Sequence, residues 1–296
     1  MAIPTGPEAE RTRVRLSHHV SAVGRWETAV ALPGPALRPY VREYVGWWEH
    51  MTAPLVRREL PSGEAPLILG FGTPIRLFDP HDDTRHDDLS GFVTGAYDVT
   101  QRVGSSGPTG GVELKLTLLG MRRLLARPLA ELRNRAVPLE EVFGRAARSW
   151  SHQLADSPSW EARFDLVDAL LGARLLAPAH APRAEISGAW HRLAASHGQV
   201  PIARVAQEVG WSPKHLNSQF RHEIGLAPKT LARILRFGRV VERLQQGRAG
   251  SLADLAAWGG YFDQSHLHRD ARQFAGVTPG ELVASLLPDR GGFLAS

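Results

Sequence analysis

The stretch VAQEVGWSPKHLNSQFRHEIG, Val205 to Gly225, is the part of the chain from which the rest is best read. Ile202, Val205, Ala206 and Val209 recur at helical spacing up to Gly210. Beyond that glycine, Leu216 and Phe220 share one helix face. Lys214, Asn217, Ser218 and Arg221 fall at i, i+3, i+4 and i+7, which makes a single outward stripe. Ala206, small and in mid-helix, lets the second segment cross close to the first. Gly210 supplies the turn, because a positive φ costs glycine little.

The same pattern returns further on. IARVAQEVGW at 202–211 aligns with LADLAAWGGY at 252–261, an offset of 50 residues. PKHLNSQF, Gly225 and Pro228 align at offset 51 with QSHLHRDA, Gly276 and Pro279. The second copy repeats the apolar set as Leu252, Leu255 and Ala256 and the turn as Gly260. Ser251 with Asp254 makes a start like a capping box. Its stripe is Ser265, His268, Arg269 and Arg272, with Gln264 beside it as His215 stands beside the first. These are side chains that reach base edges and phosphates. Two crossed helices, the second bearing such a stripe, describe a helix-turn-helix with its recognition helix.

Composition bounds the rest. The 296 residues are 43% hydrophobic and carry a net charge of +5, enough chain for about two ordinary domains. From Ala184 onward there are 13 Lys/Arg against 9 Asp/Glu, whereas residues 1–183 hold 22 against 21. The basic excess therefore lies in the repeat-bearing part, which favours a polyanion as partner. Absence of cysteine excludes disulfides, thiolate metal sites and cysteine nucleophiles and agrees with a reducing compartment. The first residues lack the apolar core of a signal peptide, and no apolar run reaches the roughly 18 residues of a membrane span. The expectation is a soluble, cytoplasmic protein.

Residues 1–30 are weakly periodic and read as a loose arm in which Trp26 docks. From about Arg38 to Leu119 come short β-like pieces: YVREYVGWW, APLILGFG, PIRLFD, GFVTGAYD and GVELKLTLL, separated by Pro, Gly, Asp and Ser. They predict a sandwich or small barrel, followed by helices in LGMRRLLARPLAEL, LEEVFGRAARSWSHQL and SWEARFDLVDALLGARLL. The expected class is α+β with a β-rich unit and flanking helices at 31–176, a Pro-rich linker at 177–185, an all-α unit at 186–288 and a tail at 289–296. DPHDDTRHDD, 79–88, reads as a solvated hairpin loop, and GSSGPTGG, 104–111, as a turn without the Lys-Ser/Thr ending of a phosphate loop. His266 and His268, at i and i+2 of a helix, point apart, so no metal is expected.

Residues 186–285 resemble the paired helix-turn-helix domain of AraC/XylS-type transcriptional regulators. The matching stretches are IARVAQEVGWSPKHLNSQFRHEIGLAP, then Arg236, then LADLAAWGGYFDQSHLHRDARQFAGVTP, with Gly260, Tyr261, Asp263, Ser265, His266, Thr278 and Pro279 on the family's tail signature. Ala271 departs from it, standing where the family usually has Phe, and Leu282 and Val283 replace a common Tyr-Arg. Phe262 or Phe274 is expected to fill the resulting gap. The resemblance implies two motifs joined by a long helix, Lys229 to Gln246, that place their recognition helices in successive major-groove segments. About 18 residues span about 27 Å, near the groove repeat of about 34 Å. Arg236, Arg239 and Arg243 share a face of that helix, where they touch phosphate or pair with Glu208 or Glu242. ELPSGEAPLILGFG and the stretch from Gly110 to Gly144 are similar to N-terminal halves of some such regulators, which implies a small-molecule sensor or dimerisation unit. The closely spaced histidines of cupin-type metal sites are absent from the strands.

The DNA-binding candidates are thus Lys214, His215, Asn217, Ser218, Arg221, Arg236, Gln264, Ser265, His268, Arg269 and Arg272. The expected function is sequence-specific transcriptional regulation, as an activator, with no enzymatic activity, metal or cofactor. Expected partners are double-stranded DNA, RNA polymerase, a small-molecule effector and a second copy through the N-terminal half. A helical protein-docking module and a DNA-targeted enzyme stay open beside this reading. The Lys/Arg/Asn stripes disfavour the first. The second has no G-x-S-x-G or supported acid/base pair to stand on.

Overall fold

The computed structural model describes residues 14–80, 82, 84–178, 181–248, 250–287 and 292–295. Its N-terminal half is two antiparallel sheets. The larger runs β1-β2-β3-β10-β5-β8-β11 and the smaller β12-β4-β9-β6-β7. In chain order these are β1 Arg15–Ser21, β2 Gly24–Ala31, β3 Val41–Met51, β4 Leu55–Glu59, β5 Glu64–Gly72, β6 Ile75–Phe78, β7 His86–Leu89, β8 Gly91–Thr94, β9 Gln101–Ser105, β10 Pro108–Thr117, β11 Ala136–Pro138 and β12 Phe293–Leu294.

The sheets pack face to face through Ile68, Ile75, Leu77 and Phe92, with Trp47 and Val103 beside them. Toward the other end the facing side chains are charged. Arg57 bridges Glu49 at 2.7 Å and Ser105 at 3.1 Å, and Lys115 bridges Glu43 at 2.9 Å. The opposite face of the larger sheet carries helices. After α1, Leu118–Leu125, come α2 Leu139–Phe143, α3 Ala146–Asp156 and α4 Trp160–Leu176. The segment read as one helix from Leu139 is therefore two, broken where Gly144 takes φ 66°. Trp160 lies over Gly46 and donates to Glu27 at 2.6 Å, and Tyr44 donates to Asp168 of α4. Arg123 of α1 donates to the carbonyls of Leu175 and Ala177, the free acceptors at the end of α4.

Two expectations change. Residues 15–31 form a hairpin in the sheet instead of a loose arm, with Trp26 5% exposed and stacked on His19 at 4.0 Å. Alternation with serine and histidine at the half-exposed positions hid the strand period. Part of the tail also returns to the β-rich half. As β12 it pairs with β4, Leu294 opposite Arg57, and Arg58 donates to the Leu294 carbonyl at 3.1 Å.

Past α4 the remaining elements are α5 Ala184–Ala195, α6 Ile202–Glu208, α7 Pro213–Ile224, α8 Pro228–Gln245, α9 Leu252–Gly259, α10 Gln264–Ala275 and α11 Pro279–Ala284. Buried residues of both halves join one contiguous core, from Val14 to Phe293. Among the described residues no helix is long and apolar enough to cross a membrane.

Candidate nucleic-acid interface

The repeat read in the sequence is a repeat in the backbone. Trp211 N–H donates to the Ala206 carbonyl and Tyr261 N–H to that of Ala256, both at 2.9 Å. Gly210 and Gly260 occupy the turn at φ 73° and 74°, a region that favours glycine. Each second helix starts with a side-chain cap: Ser212 accepts from the His215 N–H at 3.2 Å, and Asp263 from the His266 N–H at 2.8 Å. Each ends on a left-handed glycine, Gly225 or Gly276. Two helix-turn-helix units of one design are thus joined by the 18-residue α8.

On α7 the core side is Leu216, Phe220 and Ile224, each 0% exposed. Lys214, His215, Asn217, Ser218 and Arg221 are all exposed on the other side. On α10, Leu267, Ala271 and Phe274 are buried, while Gln264, Ser265, Arg269 and Arg272 are exposed and His268 is half-buried. Of the two rings expected beside Ala271, Phe274 is the buried one and packs on Phe237 at 5.7 Å between ring centroids. Phe262 does not contribute there, being 91% exposed at the turn.

Arg236 is set apart from these stripes. It is half-buried, its guanidinium 5.7 Å from the Tyr261 ring and its Nε without a partner among the described residues. Arg239 and Arg243 stack on Trp258 at 4.9 and 4.5 Å. Glu208, expected as a partner for these arginines, binds Arg192 at 2.8 Å and Arg204 at 3.0 Å instead. The α8 arginines are thus bound into packing between α8 and the second unit.

Two acids that hold the recognition helices escaped the sequence reading. Asp270, 5% exposed, accepts from Arg233 Nε at 3.0 Å and Nη2 at 2.5 Å, and its other oxygen accepts from the Tyr261 hydroxyl at 3.1 Å. It ties α10 to α8 and to the turn. Burial, then the Asp270 charge, pushes the Tyr261 hydroxyl upward, so it stays protonated and donates. Glu223, 9% exposed near the end of α7, accepts from Arg122 Nε of α1 at 2.6 Å, and its carbonyl accepts from the Leu129 N–H at 3.1 Å. The signal for both was an acid on an apolar helix face, three residues after Leu267 and after Phe220.

Two capped, exposed, acid-free stripes on helices that each cross a shorter helix define a paired helix-turn-helix DNA-binding domain. Residues 205–285 match the family model described as Helix-turn-helix domain. The match is of AraC type and is confined to this C-terminal region, which is thus a helix-turn-helix domain of the kind that binds DNA. None of the curated proteins matches it. Among solved structures, ToxT from Vibrio cholerae is 11% identical with a TM-score of 0.47, covering 81% of this chain and 97% of its own. A transcriptional regulator from Chromobacterium violaceum with an AraC-type DNA-binding domain is 23% identical over 36% of this chain and 95% of its own, TM-score 0.33. The AraC-like transcriptional activator CuxR is 16% identical over 80% of this chain and 86% of its own, TM-score 0.31.

Proposed function

We propose that the chain is a sequence-specific transcriptional activator whose helices α7 and α10 enter successive major-groove segments of one site. The observation that carries this is the pair of exposed stripes on backbone units built alike. Base preference is assigned to Lys214, His215, Asn217, Ser218 and Arg221 and to Gln264, Ser265, His268, Arg269 and Arg272. Arg236 is assigned a supporting part, keeping Tyr261 and the second turn in place. In this reading residues 186–288 bind DNA, residues 31–176 sense an effector and pair two copies, RNA polymerase is the downstream partner, and the setting is cytoplasmic. The protein binds and does not catalyse. Control by the N-terminal half is supported by the Arg122–Glu223 bridge, which fastens α1 to a recognition helix.

The test is binding to the promoter beside its own gene with scrambled competitor at several salt concentrations. A site protected against competitor, with log affinity falling linearly in log salt, is the expected result. A folded protein that binds no DNA at low salt refutes the reading.

A further inference from the structure

The two sheets treat their edges differently. β7 carries His86, Asp87 and Asp88, charges that discourage pairing. β11 is three residues ending in Pro138, and β12 is two residues long. Among the described residues β1 has no such protection. It is the outer strand of the larger sheet, paired with β2 along one side and, among the described residues, with no strand along the other. Its seven residues, RLSHHVS, hold one fixed charge, Arg15. Leu16 is 54% and Val20 80% exposed on the α4 side of the sheet, and Trp48, 36% exposed, continues that face two strands inward. An open edge with apolar side chains is a template for another strand.

The order of residues says which strand. In an antiparallel pairing of two β1 strands about a two-fold axis through His18, Leu16 meets Val20 of the second copy and Val20 meets its Leu16. Ser17 meets His19, His18 meets His18 at the centre, and Arg15 lies at the far end from the second Arg15. Apolar positions meet apolar ones, polar meet polar, and no like charges oppose each other. A register slipped by one residue breaks all of these matches at once.

We propose that β1 is the self-association edge of this protein, joining the larger sheets of two copies through an antiparallel β1–β1 pair centred on His18. The inference deepens the pairing proposed above for the N-terminal half. Its test contains no DNA, so its failure leaves the DNA reading standing, and a failure to bind DNA leaves this one standing. An edge contact of seven residues lies at the weak end of interface sizes, so the equilibrium is read at micromolar concentrations.

The full chain is examined by sedimentation over a range of concentrations, with circular dichroism to verify folding. Leu16 and Val20 are exposed, so substitution there leaves the core untouched. Val20→Glu sets a carboxylate against Leu16, and Leu16→Lys sets an ammonium against Val20. Each is expected to weaken the dimer at least about tenfold, the scale of losing good cross-strand pairs twice by symmetry. The double variant Leu16→Lys/Val20→Glu sets Lys opposite Glu at both places and is expected to recover affinity to within a few-fold of wild type. A wild-type protein monomeric throughout overturns the proposal. So does a dimer indifferent to either single variant, and so does a double variant as weak as the two losses combined.

Discussion

Replacing Asp270 by alanine deletes three hydrogen bonds that converge on one buried carboxylate, two from Arg233 and one from Tyr261. The partners left behind fare differently. The Arg233 side chain is 28% exposed, keeps Gln273 at 2.7 Å and the Phe274 ring at 5.2 Å, and can rehydrate. Tyr261 is 9% exposed and retains a hydroxyl with no acceptor, a loss of about 1–3 kcal/mol. Breaking a buried, hydrogen-bonded ion pair costs about 3–5 kcal/mol in total, and the relief available to Arg233 puts this case near 3. For a unit of about 100 residues each kcal/mol moves Tm by about 4–8 °C, so the transition of the helical half should fall by at least about 12 °C. Adding Tyr261→Phe removes the stranded hydroxyl and should return about 1 kcal/mol or more. Calorimetry on both variants measures the effect. DNA binding below the lowered transition should show the loss confined to base pairs read by α10. A decrease under about 1 kcal/mol, or a double variant no better than the single, refutes the assignment of Asp270 as the tie of α10.

Asn217→Ala and Arg221→Ala should each change preference at one or two base positions by about 1–3 kcal/mol, in contrast to a lost phosphate contact, which weakens all sequences alike and reduces the salt slope by about one. A selection from random DNA with each variant distinguishes these, and uniform loss for Asn217→Ala removes it from base reading. Arg122→Ala strands the Glu223 carboxylate and should cost about 3 kcal/mol, while Arg122→Met with Glu223→Leu should cost less than about 1; equal losses in denaturant unfolding contradict a bridge that matters only when half broken. Burial, only partly offset by Lys115, raises the Glu113 carboxyl from 4.5 to about 7. Its native state therefore holds the proton more tightly, and the associated stability, complete below pH 4.5, is lost as pH rises through 7. Glu113→Gln should be stabilised relative to wild type at pH 8 compared with pH 5, by up to about 3 kcal/mol, and a pH-independent difference in urea unfolding counts against it.

What could be read from the sequence was what packing makes periodic. β3, β5 and β10 bury one face in a large core, so their apolar residues announced them. β4 and β9, LVRRE and QRVGS, pack charged and small side chains between the sheets, where Arg57 meets Glu49 and Ser105, and local hydrophobicity carries no trace of such partners. The helical half was legible because its repeat is local, each cap, turn and crossing falling within about twenty residues. Its contacts with the rest were not. Arg122 and Glu223 are 101 positions apart, and Arg58 reaches Leu294 across 236. The same limit applied to Phe262 and Phe274, since choosing which of the two rings is buried required the position of Phe237 on α8.

These long-range contacts bear unequally on the two recognition helices. α7 ends against the β-rich half: Glu223 on Arg122, the Glu223 carbonyl on the Leu129 N–H, and Gly225 so close to the Leu129 carbonyl that an added Cβ would sit 3.0 Å from it. α10 is tied inward, through Asp270 to α8 and Tyr261. The second unit meets the β-rich half at the chain end, where Leu294 N–H bonds the Ser285 carbonyl and Ala295 N–H that of Val56, and at Gly276, where an added Cβ would sit 3.8 Å from the Thr100 side chain. A shift of α1 against α8 would therefore act on α7 directly, through a short, largely buried, charged contact, and on α10 less directly, through the length of α8. If an effector works by moving α1, it changes the placing of one reading head relative to the other, and the first half of the site should be the half whose occupancy responds.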